Sequence, residues 1–333
     1  MNSHHQRIFS MKIRIMRRIL IAGLVLTALK FFAWYLSHSN AVLTDAMESI
    51  INIVAAAFGL FTLIYSARPK DENHPYGHGK MEFFAVGFEG ALIFLTGIGM
   101  IWKAIVSFIH PSEIHSVDIA IYITIFTAVA NYFMGRYLVK TGTRLHSTAL
   151  SADGQHLISD TVSSGILLGG LAAILITGKM WIDTVLTIGL GIYILFVGFR
   201  LLRDSLAGLM DETDYEKVED IMTAINAERR DNWVDIHNLR VVKYGPYLHI
   251  DAHLSLPWYH DLRTTHEEVK TMEKSINRHF ENRVEFFIHT DPCLPETQCA
   301  LCLLANCPHR KSPLKEKQIW TMDLLMTNKP HGI

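Results

Sequence analysis

The chain has 333 residues, half of them hydrophobic, with 31 Lys and Arg against 32 Asp and Glu and a net charge of −1. A soluble protein of this size rarely carries so many long apolar runs. The basic residues fall where membrane topology explains them, which leaves none to argue for nucleic acid.

The first 18 residues hold Arg7, Lys12, Arg14, Arg17 and Arg18 and no acid, and read as a basic cytoplasmic segment. The run behind it is too long for a signal peptide and has no small-residue cleavage site, so it is expected to be retained. Six apolar runs follow: Ile19–Leu36, Ala41–Ala67, Phe83–Ile109, Ile119–Val139, Leu157–Thr177 and Trp181–Leu202. Each reaches or approaches the roughly 20 residues needed to span hydrocarbon, so residues 19–208 read as a six-helix membrane domain. Lys30 and Glu89 inside these runs read as structural, and Gly154, Gly165, Gly169 and Gly170 as close-packing positions between helices. The second loop adds Arg68, Lys70 and Lys80, the fourth Arg136, Lys140 and Arg144, and the last span closes on Arg200 and Arg203. The opposite loops contain only Lys179, which places both termini in the cytoplasm.

Composition changes near Leu209. Asp214–Arg229 has helical periodicity, and Val234–Tyr244 and Tyr247–Leu256 are strand-like around a Gly245-Pro246 turn. Asp261–Phe280 reads as a second helix and Val284–Ile288 as a third strand. The order α-β-β-α-β over residues 209–292 predicts a small α+β, ferredoxin-like domain with helices on one face of a sheet. Residues 293–333 form a tail without clear periodicity except around Trp320–Met326. All four cysteines fall there, and in a reducing compartment metal or redox chemistry is favoured over a disulfide framework. Cys299-x-x-Cys302-x4-Cys307-x-His309 has ligand chemistry and tight spacing, with a flexible reduced tail as the alternative.

The sharpest signal is His156 and Asp160. Four-residue spacing puts both on one helix face, and such groups in a membrane helix are expensive and usually kept for an ion path. Glu48 and Asn52 form a second such pair in the second run, so the two helices could supply a four-ligand cage for a divalent cation. Taken alone, His156 and Asp160 could be an interhelical polar clasp. In the loop Arg68–Lys80, Asp71, His74 and His78 are either a second metal site or ordinary loop residues.

These residues closely resemble the cation diffusion facilitator family. The resemblance runs through Thr44-Asp45-Ala46, the Asp71–Lys80 loop, His156-x3-Asp160, Trp181-Ile182-Asp183, His237, His253, His266 and His289-Thr290-Asp291-Pro292. It implies a homodimer in a lipid bilayer that exports a divalent metal from the cytoplasm in exchange for protons, in a bacterial cell (inner) membrane. It further implies a transport site of Glu48, Asn52, His156 and Asp160 and a loop site of Asp71, His74 and His78. A binuclear site of His237, His253, His266, His289 and Asp291 would lie in the cytoplasmic domain. The family's second helix usually offers Asp or His followed by Asp, whereas this chain has Glu48-x3-Asn52. One nitrogen and three oxygens is a harder donor set, nearer to what Mn2+ or Fe2+ tolerates, with Zn2+ also compatible. No acid/base or nucleophile constellation stands outside the metal-type clusters, so the chain is not expected to be an enzyme. The rival reading is a membrane metal sensor or scaffold that binds ions and moves none.

Overall fold

The computed structural model describes residues 3–37, 40–109, 118–177, 181–245, 247–280, 283–315 and 317–331, which fall into two compact units dividing after Met210. The first unit contains six long helices: α1 (Ser3–Ser37), α2 (Asn40–Ser66), α3 (Met81–Ile109), α4 (Asp118–Leu145), α5 (Thr148–Thr177) and α6 (Trp181–Leu209). At about 1.5 Å per residue even the shortest exceeds the roughly 30 Å of a bilayer's hydrocarbon. Among the described residues, Ser49–Ser66, Met81–Val106 and Thr184–Leu209 are long and apolar enough by composition to cross a membrane. Large apolar side chains such as Phe32, Trp102, Phe133 and Phe196 are exposed around the bundle, as a surface facing lipid tails requires.

The basic start of the chain is not a separate segment. It is the first half of α1, and Phe9, Lys12, Ile15 and Met16 are buried. Lys12 was counted above among the topology-setting charges. Instead it is fully buried, and its Nζ donates to Glu82 Oε1 on α3 at 2.6 Å. Ser147 Oγ donates to the other carboxylate oxygen at 2.7 Å, so the buried acid has partners on both sides.

Two helix pairs touch backbone to backbone. On α3 and α6, a Cβ added at Gly90 would lie 2.8 Å from the Leu202 nitrogen, and one at Gly198 only 2.5 Å from the Phe94 nitrogen. On α4 and α5, a Cβ at Gly154 would come within 2.7 Å of the Val139 nitrogen. Without lipid-excluded water to drive association, such close approach is what holds membrane helices together. Gly154 is therefore a packing glycine as expected. Gly165 and Gly169 are not, among the described residues: nothing there lies within 4 Å of where their Cβ would be. Both lie in the C-terminal half of α5. Gly170 lies outside the residues whose side-chain surroundings are described.

The second unit runs α7 (Tyr215–Ala227), β1 (Asp235–Tyr244), β2 (Tyr247–Leu256), α8 (Leu262–His279) and β3 (Val284–Pro292), followed by the short helices α9 (Pro295–Gln298) and α10 (Met322–Met326). Asp214 and Asp261 cap α7 and α8 by accepting from the Lys217 and Thr264 nitrogens. β1 and β2 are antiparallel through the tight turn at Gly245, whose φ of 61° suits glycine. β3 returns parallel to β2 because α8 carries the chain back across the sheet, giving the order β1-β2-β3. Val218, Ile221 and Ile225 from α7, Met272 and Ile276 from α8, and Ile236, Ile250 and Leu254 from the sheet form the core. Residues 293–331 are part of this unit: Trp320 and Leu325 are fully buried in the same core.

Candidate metal sites

In the helical unit, α2 and α5 bring Asn52, His156 and Asp160 together. Asn52 Nδ2 donates to Asp160 Oδ2 at 2.6 Å, and Asn52 Oδ1 lies 3.0 Å from His156 Nε2. His156 Nε2 and Asp160 Oδ1 are 3.8 Å apart, the approach that i, i+4 spacing on α5 provides. The Glu48 side chain lies outside the described residues. His156 is buried, and the second ring nitrogen, Nδ1, meets Glu89 Oε2 on α3 at 2.8 Å. Glu89, expected to be structural, makes this one specific contact. It orients the imidazole, the position a carboxylate takes behind a metal-binding histidine. Asp153, one turn before His156, is also buried and was missed altogether; its Oδ2 and Glu89 Oε1 have no hydrogen-bond partner among the described residues. A cleft lined by Lys30, Ser49, Asn52, Asn131, Asp153 and His156 opens beside the cluster.

Between α2 and α3 the loop turns tightly enough to fold Asp71 back on two histidines. Its Oδ1 is 2.9 Å from His74 Nδ1 and its Oδ2 3.4 Å from His78 Nε2. Asp71 also accepts from the His74 backbone nitrogen at 2.7 Å, and these bonds hold its carboxyl below the usual carboxylate range. His78 is buried with its ring edge-on to Tyr65. Three donor atoms, one from each of Asp71, His74 and His78, lie within 4.8 Å of one another.

In the second unit the sheet register makes the site. His237 pairs with His253 across β1 and β2, and His253 with His289 across β2 and β3, so three imidazoles form a row over three strands. Asp291, two residues past His289 and on the same face, sits between them. Its carboxylate is 2.9 Å from His253 Nδ1, 3.3 Å from His289 Nε2 and 3.6 Å from His237 Nε2. Burial pushes the His237 imidazole below its ordinary value, against the pull of Asp235 and Asp291, and so favours the neutral form that can ligate. His237 Nδ1 lies 3.2 Å from Asp235, a buried carboxylate not singled out in the sequence. His331 from the far end of the chain hydrogen-bonds that same carboxylate through both its ring and its backbone nitrogen. His266 is exposed on α8 and is not among the groups that the sheet gathers.

The cysteine tail is ordered against the same unit. Cys299 and Cys302 are buried and Cys307 half-buried. The His309 ring packs on Trp258 and Tyr259, with ring centres 4.7 and 5.1 Å apart.

A bundle of membrane-length helices with a buried histidine–carboxylate cluster, joined to an α+β unit carrying a histidine row, defines a metal-cation transporter. Residues 16–210 match the cation efflux transmembrane domain and residues 210–293 the cation efflux protein cytoplasmic domain. The chain belongs to the cation efflux family, the cation diffusion facilitators. It is 31% identical to an uncharacterized transporter of Synechocystis sp., over 77% of this chain and 82% of the relative. It is 28% identical to the cation-efflux pump FieF of Pectobacterium atrosepticum, over 90% of this chain and 98% of the relative. The FieF pump of Escherichia fergusonii is likewise 28% identical, over 84% and 94%. The protein is thus a multi-pass membrane transporter that moves metal cations outward.

Proposed function

We propose that the protein is a homodimeric antiporter that expels a divalent transition metal from the cytoplasm in exchange for protons, with the ion held by Glu48, Asn52, His156 and Asp160. The observation that carries this reading is the hydrogen bonding of His156. Its two ring nitrogens face acceptor oxygens on Glu89 and Asn52, which is the arrangement of an imidazolium. Loss of the Nε2 proton frees that lone pair for an ion, while Nδ1 keeps its bond to Glu89 and holds the ring in place. Asn52 and Asp160 would then exchange their mutual hydrogen bond for the ion. Metal and proton compete for one nitrogen, so binding one ejects the other.

The donor set of one imidazole nitrogen with amide and carboxylate oxygens suits Mn2+ or Fe2+ and tolerates Zn2+. The loop group Asp71, His74 and His78 would hold an ion near the membrane. The row of His237, His253, His289 and Asp291 would tune transport by cytoplasmic metal, with exposed His266 of α8 completing it as the family resemblance implies. Basic residues flanking the spans support termini on the cytoplasmic side, and relatives named as bacterial pumps support the inner membrane.

Everted membrane vesicles with an acid interior test this directly. Addition of Zn2+, Fe2+ or Mn2+ should drive metal in and protons out, and a protonophore should stop both. Metal uptake that continues unchanged once the proton gradient is collapsed, with no proton movement, would overturn the antiport.

A further inference from the structure

The four cysteines of the tail share one small pocket. Cys293, Cys299, Cys302 and Cys307 line it together with Trp258 and Pro295. The pattern is Cys293-x5-Cys299-x2-Cys302-x4-Cys307, which adds to the sequence motif a residue directly after β3. Two of the sulfurs accept hydrogen bonds. The Lys311 backbone nitrogen donates to Cys299 Sγ at 3.4 Å and the Tyr259 hydroxyl to Cys307 Sγ at 3.6 Å. Burial raises the thiols of Cys293 and Cys302 above their ordinary value, against a smaller opposing effect of the Trp258 and Leu304 backbone. Cysteine binds metal as the thiolate, so an ion entering this pocket must displace the thiol protons.

The surrounding charge fits as well. Arg310 is drawn over the loop by donating to the carbonyl oxygens of Cys299, Cys302, Leu304 and Ser312 at 2.8 to 3.2 Å. Arg310 and Arg229 both act electrostatically on Cys302. Four thiolates around a divalent ion leave two negative charges, and two guanidinium groups are placed to offset them.

We propose that Cys293, Cys299, Cys302 and Cys307 bind one zinc ion as a closed tetrahedral site, independent of transport. His309 also lines the pocket with its ring packed on Trp258 and Tyr259, and the four cysteines complete a tetrahedral set without it. The thiols are set less closely than the two histidine–aspartate groups, and the ion gathers them by side-chain rotation. Binding releases four thiol protons to solvent and leaves no coordination position open, so the site is structural. It lies just past Asp291, with the Cys293 nitrogen bonded to the Leu256 carbonyl at 2.8 Å. There it would pin the start of the tail to the end of the strands that carry the histidine row.

Cobalt substitution in the purified full-length protein tests the site. Co2+ bound by thiolates gives intense sulfur-to-metal charge-transfer absorption that nitrogen and oxygen ligands do not. The expected result is one such cobalt per protomer, displaced by Zn2+, with all four cysteines then protected from alkylation. His309→Ala should keep the full band, and Cys293→Ser should shift and weaken it. Absence of the band from the wild-type protein, two disulfides after anaerobic isolation, or a band lost on His309→Ala but kept in Cys293→Ser would each overturn the proposal. The wild-type titration decides the matter even where a cysteine variant fails to fold.

Discussion

At the scale of single residues, His156 and Glu89 would divide the work of the proposed transport site. On the proposed ligand assignment, Asp160→Ala or His156→Ala removes a donor from a set that must strip an ion of its water. Each variant is expected to abolish uptake into everted vesicles while leaving the protein folded. Glu89→Gln leaves the donors in place but loosens the imidazole, and changes to such supporting partners cost about 10–100-fold in metal affinity. That variant should therefore still transport at high metal, with its half-saturating concentration raised by about that factor; unchanged vesicle kinetics would remove Glu89 from the site. Asn52→His moves the set toward nitrogen and should shift preference toward Zn2+ over Mn2+, read from competition between the two ions. His156 and Asp160 were legible in the sequence because one helix supplies both at i, i+4. Glu89 was not: its partner is 67 residues away on another helix, and a lone acid in an apolar run looks like packing.

Among the elements, periodicity located the helices and strands of the C-terminal unit, and alternation showed which residues share a strand face. It could not give the register, which makes His237, His253 and His289 neighbours. A shift in the β1–β2 ladder just after His237, where Asn238 adopts a φ of 54°, sets that register and has no plain signature in the sequence. Since this row lies outside the bundle, His253→Ala combined with His289→Ala should raise the metal concentration needed for transport without abolishing it. Complete loss of uptake with the domain still folded would contradict a tuning role. In the bundle, Gly154→Leu must push α4 from α5, and overpacking of this kind costs about 1–3 kcal/mol. Thermal unfolding in detergent should fall accordingly, with a Gly165→Leu control near the wild-type value because its surroundings are open.

For the whole molecule, hydropathy announced a membrane unit followed by an α+β unit, because long apolar runs and a change of composition are properties of the chain itself. Two features were hidden. The basic residues before Ile19 looked like a separate arm, yet they continue α1, with Lys12 turned inward to Glu82. The aperiodic tail looked loose, yet it contributes Trp320 and Leu325 to the core and His331 to Asp235. The bond to Asp235 raises the His331 pKa above its ordinary value against the opposing effect of burial. A histidine raised in the folded state stabilises most below its unfolded pKa of about 6.5 and loses that contribution as pH climbs through the folded value. Hydrogen exchange of residues 317–331 should thus quicken, beyond its intrinsic base catalysis, as pH rises above about 6.5. His331→Ala should show that faster, pH-insensitive opening throughout.

Glu89 is the immediate neighbour of Gly90, and Gly90 rests on the α6 backbone at Gly198 and Leu202. With no side chain between them, the two helices fix each other's height, and the depth of the Glu89 carboxylate is set by α6. A helix outside the proposed ligand set thereby acts as the ruler for the proposed site, and methyl groups added along it would change where an ion rests before they changed what binds it.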